Sequence, residues 1–153
     1  MIDKIISGGQ SGVDRAALDV AMSEGIACGG SCPAGRMADD GPIPEKYSLQ
    51  ETAGTDHLVR TENNVRDSDG SLLLYRDSLH GGTAYAEEMT RHLNKPVMAV
   101  DLNHPGGVAD VVGWIEQNQL HVLHIGGQRE KTSPGIYDQA SGFIRDVLTA
   151  CQQ

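Results

Sequence analysis

Basic residues are scarce: twelve Lys and Arg stand against twenty-one Asp and Glu, a net charge of −9. That balance works against nucleic-acid partners, which are held by basic surface that displaces counterions. Long hydrophobic runs are missing too. No stretch is long enough to span a membrane, and the opening MIDKIISGG does not have the form of a signal peptide. The three cysteines, Cys28, Cys32 and Cys151, do not make a disulfide framework, so a reduced, cytoplasmic location is expected. Aromatics are few, with one Phe, one Trp and four Tyr. The core must therefore rest on Val, Ile, Leu, Ala and Met. The six histidines are scattered without a His-Glu-x-x-His spacing, and no metal site is expected.

Glycine, by contrast, is abundant, and its nineteen copies gather in clusters between apolar runs. Residues 1–153 are of a length for one domain with a single core. Apolar runs at Ile2–Ile6, Ile26–Cys28, Ser71–Tyr75, Val97–Val100 and within LHVLHIGG predict strands, with Ser48–Thr52 as a short edge strand. Helices are predicted over Val13–Glu24, over Asp56–Arg66 with Thr55 as cap, and after Gly82 with Ala86, Met89 and Leu93 on one face. Two more follow NHPGG and the Ser133-Pro134 pair. Between Gly29 and Tyr47 lies a long irregular segment, a kind of connection often tied to function. Alternating strands and helices predict an α/β fold, a mainly parallel sheet covered on both faces. The pairs Gly8-Gly9, Gly81-Gly82 and Gly126-Gly127 each follow a strand, which puts them at the carboxyl edge, where such folds bind ligands.

In SGGQSGVDR, the residues Gly8, Gly9, Gln10, Ser11 and Gly12 lead into a helix. Missing Cβ atoms would let a ligand approach, and the free N–H groups and the helix dipole favour a phosphate or similar oxyanion. A purely structural turn is the other reading, with Ser11-x-x-Asp14 as a capping box. Arg15 is harder to account for, because a cation at a helix N-terminus needs an anion nearby. Gly81, Gly82 and Thr83 repeat the geometry, and Gly126, Gly127 and Arg129 complete the set. Arg60, Asn63, Asn64 and Asp67 share one helical face, for a ligand or for solvent. Asp67 opens the DSDG run, whose later positions are leucines, which rules out a calcium loop. Cys32 lies in the long loop with Arg36 and is either structural or within reach of a ligand. Arg36, Arg60 and Arg129 could supply the mobile charge that a dianion needs.

The opening motif, CPAGRMADDGPIPEKYSLQET, RTENNVRDSDGSLLL, GGTA and GGQREKTSPGIYDQA together resemble the putative molybdenum carrier family over nearly the whole chain. IISGGQSGVD is also similar to the corresponding stretch of DNA-processing protein A, a member of the same superfamily as the cytokinin-activating phosphoribohydrolases. The resemblance implies a Rossmann-like three-layer sandwich with its ligand site at the glycine loops. It also implies a carrier of molybdenum cofactor, a pterin bearing a phosphate and a metal-holding dithiolene, or of molybdate. The phosphoribohydrolases carry a Pro-Gly-Gly-x-Gly-Thr-x-x-Glu pattern. Here Ala86 stands three residues after Thr83, and Glu87 lies a further ~100° round the helix.

The expected function is therefore binding of an anionic small molecule, a phosphate-bearing cofactor or a nucleotide. The alternatives are a nucleotide-processing enzyme, with Asp14, Asp40 or Glu87 as acid or base, and a nucleotide-sensing subunit. Tyr85, Met89 and the apolar C-terminal helix offer hydrophobic positions for self-association, so a homo-oligomer, a dimer or dimer of dimers, is expected.

Overall fold

The computed structural model describes residues 1–104 and 106–153. Pro105, inside NHPGG, lies outside the described residues. Six strands form one sheet: β1 (Lys4–Ile6), β2 (Ala27–Cys32), β5 (Leu49–Glu51), β6 (Gly70–Tyr75), β7 (Val97–Asp101) and β8 (Val122–Gly127). Every pairing in that sheet is parallel. The short strands β3 (Met37–Ala38) and β4 (Gly41–Pro42) make a separate antiparallel ribbon. Among the described residues, five helices cover the sheet: α1 (Val13–Ser23), α2 (His57–Arg66), α3 (Gly81–His92), α4 (Val108–Gln117) and α5 (Ile136–Cys151). The result is a Rossmann-like three-layer α/β sandwich. No helix of the described residues is long and apolar enough to cross a membrane.

The spatial order is β5-β2-β1-β8-β6-β7. The last strand in the chain thus sits at the centre. Counted from β8 as the first strand, followed by β1, β2, β6 and β7, the order becomes 3-2-1-4-5 with β5 added at the edge. That is the strand order of a doubly wound dinucleotide-type fold. The two ends of the chain meet where a helix-to-strand connection would otherwise run. Ile2 N–H donates to Gln152 Oε1 at 3.0 Å, and Gln152 Nε2 donates to Ile2 O at 3.1 Å.

Alternation along the strands sorts the side chains onto two unlike faces. Ile5, Leu72, Leu74, Leu123 and Ile125 point into the main core. There α1, α4 and α5 supply Val13, Ala17, Val20, Val111, Ile115, Ile136, Ala140, Ile144, Val147 and Leu148. The apolar face of α5 is thus consumed within the chain. Toward α2 and α3 the buried groups are different: Thr61, Asn64 and Val65 from α2, and Thr83, Ala86 and Thr90 from α3. The inner face of α3 is therefore Thr83, Ala86 and Thr90, not the expected Ala86, Met89 and Leu93. Leu93 is among the exposed apolar residues.

Three local expectations need correction. β2 runs on through Gly29–Cys32, because Asn64 clamps Ser31 with both amide atoms, at 2.7 and 3.1 Å, while Gly30 to Cys32 pair with β5. Asp56, not Thr55, caps α2, its carboxylate accepting Leu58 N–H at 2.9 Å. The capping box at Ser11 does not form. α1 begins after Gly12, and Val13 N–H donates to Gln128 O at 3.2 Å.

Candidate functional site

The loop after β6 turns toward α3 on one face of the sheet, and the loop after β8 turns toward α5 on the other. A crevice opens between strands whose connections diverge in this way. A cavity of about 390 Å³ lies there, within the size range of small-molecule sites. His80, Gly81, Gly82, Thr83 and Ala86 line it from the α3 side, and Gly126, Gly127, Gln128, Arg129 and Thr132 from the β8–α5 side. Gln10 and Asp14 form its floor beside the β1–α1 loop, while His57, Leu58, Arg60 and Thr61 of α2 roof it.

The three glycines of the opening motif are explained by the protein's own packing. A Cβ on Gly8 would stand 2.2 Å from Arg60 Nη1, and one on Gly12 would stand 2.4 Å from Gln128 O. Gly9, at φ +78°, makes room for Leu49 and Ile43. Gly127 likewise admits Leu74 O and Val13. Gly81 and Gly82 are different, since a Cβ on either would meet no described atom within 4 Å. Their amides and that of Thr83 open α3, whose cap residue His80 makes no side-chain cap bond. These are the donors at which an anion can arrive.

Where α2 meets the start of α1, Arg60 Nη1 donates to Asp14 Oδ2 at 3.2 Å, with the side chains 16% and 5% exposed. Burial pushes the Asp14 carboxyl up from its ordinary pKa. Arg60, the Gln10 and Gly8 amides and the Ser7 hydroxyl pull against that rise. Asp14 is therefore a carboxyl that can hold or release a proton at the cavity wall. Arg60 keeps a further donor, Nε, that no described group accepts. Arg129 stands at the rim, paired with Asp39 at 3.1 Å and about half exposed.

Other predicted residues lie elsewhere. Arg36 does not bring its charge to the cavity: its guanidinium donates to the carbonyls of Leu49, Ile43, Pro44 and Tyr47, which staples the long loop together. Arg15 donates to Gly9 O and pairs with Asp40 at 3.1 Å, so the anion its position demanded is Asp40. Arg15, Ser11, Gly12 and Asp40 line a second hollow, apart from the main cavity. Cys32 is fully buried among Leu18, Ala38, Ile43 and Tyr47, and burial holds its thiol protonated. Asn64 is spent on Ser31, and Asn63 accepts from Arg66 at the surface. Glu87 pairs with Arg91 along α3, outside the cavity lining. Of the three acid–base candidates, only Asp14 reaches the cavity.

Sequence reasoning missed His57, His124 and Thr132. A signal existed for His124, a polar residue two positions before Gly126 in an otherwise apolar strand. Gln128 braces the rim, accepting Arg76 N–H at 2.9 Å and donating to the Arg76 and Ser78 carbonyls. Among the described residues, no group of three or more His, Cys, Asp or Glu is placed to hold a metal ion.

Comparison with known proteins adds two findings. Residues 5–148 match the model of the Circularly permutated YpsA SLOG family. The crystal structure of a putative molybdenum carrier protein from Syntrophus aciditrophicus SB is similar at 40% identity and a TM-score of 0.91, covering 96% of this chain and 95% of that one. No curated protein matches the chain.

Proposed function

The chain belongs to the Circularly permutated YpsA SLOG family, and from that premise we propose that it binds a small phosphate-bearing or oxyanionic ligand in the switch-point cavity. One observation carries the reading. The uncapped α3 amides of Gly81, Gly82 and Thr83 share a single cavity with the Arg60 and Arg129 side chains. Backbone dipoles and guanidinium groups converging on one space suit a dianion.

The cargo we infer is molybdenum cofactor or molybdate, on the strength of the name carried by the similar Syntrophus protein. The donors fit the phosphate of such a cofactor. The described residues provide no multidentate metal site, so the hold would rest on the ligand's anionic group. A second reading, a nucleotide-processing enzyme, draws on Asp14, whose buried carboxyl would act as acid or base beside the ligand.

Native mass spectrometry of freshly purified protein tests both. Retention of an intact pterin phosphate, nucleotide or molybdate supports carriage. In calorimetric titration, Arg60→Ala should weaken binding by about 1.5–3 kcal/mol, the range for a charge-assisted hydrogen bond. A cleaved nucleotide that no longer forms with Asp14→Asn supports the enzyme. A protein that retains nothing and binds neither molybdate nor adenosine 5′-monophosphate overturns both readings.

A further inference from the structure

One buried group in the cavity wall has no part in the anion cradle. His124 lies in the central strand β8, 2% exposed, on the face turned toward α2 and α3. A polar side chain at such a place is costly unless it is paired. Its partner comes from the sheet register, which sets Ser71 of β6 beside it. His124 Nδ1 lies 2.9 Å from Ser71 Oγ, Ser71 Oγ lies 3.0 Å from Thr90 Oγ1, and Thr90 Oγ1 lies 2.6 Å from Ala86 O.

These three contacts need three protons, one in each. The Ala86 carbonyl has none to give, and each hydroxyl has one. All three contacts are satisfied in a single arrangement: Thr90 donates to Ala86 O, Ser71 donates to Thr90, and His124 Nδ1–H donates to Ser71. The opposite direction leaves two hydroxyl protons for three contacts and a bare oxygen pair facing itself. The ring proton therefore sits on Nδ1, and Nε2 carries a lone pair. Burial, reinforced by the Arg60 charge, keeps the ring neutral by lowering its pKa to about 3.

Nε2 has no partner among the described residues. It stands beside Gly126, where an added Cβ would come within 3.3 Å of it, and both residues belong to the cavity wall. We infer that His124 Nε2 is a fixed hydrogen-bond acceptor for the ligand, so that the cavity selects organic phosphates bringing an N–H or O–H donor over bare oxyanions. The inference rests on the reading of this cavity as an anion site. A ligand with only lone pairs leaves Nε2 buried and unpaired, whereas an amino or hydroxyl group satisfies it.

The tautomer can be tested without any ligand. Long-range ¹H–¹⁵N correlation on the wild-type protein at neutral pH is expected to show a protonated Nδ1 and a pyridine-type Nε2 for His124. The opposite tautomer, or an imidazolium, overturns the inference whether or not the cavity binds anions. Binding then tests the selectivity, with adenosine 5′-monophosphate as the donor-bearing probe and methyl phosphate as the probe without one. His124→Phe leaves Ser71 and Thr90 a complete chain to Ala86 O. It should weaken the nucleotide roughly three- to tenfold, the effect of one neutral hydrogen bond, and leave methyl phosphate unchanged. Equal weakening of both probes, or of neither, refutes the acceptor role. Failure of both probes to bind the wild type would count against the anion site itself, and the tautomer spectrum would still decide the state of His124.

Discussion

Replacing Arg60 with Met keeps most of the side-chain volume and removes the charge that faces Asp14. The pair is close, 3.2 Å, and both side chains are largely buried. Breaking such a pair from one side costs about 3–5 kcal/mol, because the other charge is left uncompensated. Asp14 borders the cavity and keeps its interactions with the Gln10 and Gly8 amides, which places the expected loss at the low end, about 3 kcal/mol. With a urea slope of about 1–3 kcal/mol per molar, the midpoint should fall by roughly 1–3 M. The sign of the pH dependence follows from burial. The folded state holds the Asp14 proton above the unfolded carboxylate range, so stability declines as pH rises through the window between the two pKa values. Without Arg60 the folded pKa climbs further and that window widens. The variant should therefore be nearly as stable as the wild type near pH 4 and show its full deficit near pH 8. Adding Asp14→Asn to Arg60→Met should restore most of the loss. A deficit of the same size at both pH values, or none at all, would refute the account of this pair.

Gly82→Ala separates folding from binding. A Cβ there meets open space, so urea stability should hold or rise by up to about 1 kcal/mol, while titration with adenosine 5′-monophosphate should weaken. Gly12→Ala and Gly25→Ala both place alanine at positive φ, +89° and +70°. Only the first drives Cβ into backbone atoms of Gln128 and Glu130, so denaturation should show about 1–2 kcal/mol lost at Gly25 and substantially more at Gly12. A permuted chain that joins residue 153 to residue 1 by a short linker and opens between α4 and β8 should fold with a similar thermal midpoint. An insoluble permutant, with the linker length varied, would refute the reading of its strand order.

The fold was legible because its strands are short apolar runs with glycine behind them, a signal that survives without knowledge of neighbours. The extension of β2 was not legible, since Gly29, Gly30 and Ser31 carry no apolar pattern and are held by Asn64 from a distant helix. The glycines were a true signal of crowding, but the crowding at Gly8 comes from Arg60 and at Gly12 from the β8–α5 loop. Composition cannot tell a neighbouring side chain from a ligand. Arg15 and Arg36 had the same flaw as evidence: each looked like an unpaired cation, and each finds its partners in a loop whose path no local pattern predicts. His124 shows the reverse error. Its neighbours Leu123 and Ile125 were visible, but its role depends on Ser71 and Thr90, which come together only through sheet register and helix packing.

The two faces of the sheet divide the work. Burial of apolar surface stabilises at about 25 cal/mol per Å², and the face under α1, α4 and α5 holds the large aliphatic cluster. The opposite face contributes hydroxyls, amides and an imidazole, whose net gain per hydrogen bond is modest but whose geometry is fixed by direction. A layer built of Thr61, Asn64, Thr83 and Thr90 would be a poor foundation for a domain of this size on its own. With stability supplied from the other side, that layer is free to be polar, and polar side chains are what the proposed anion site requires. Strand β8 is where the two demands meet: Leu123 and Ile125 anchor the core, and between and beyond them His124 and Gly126 shape the wall of the site.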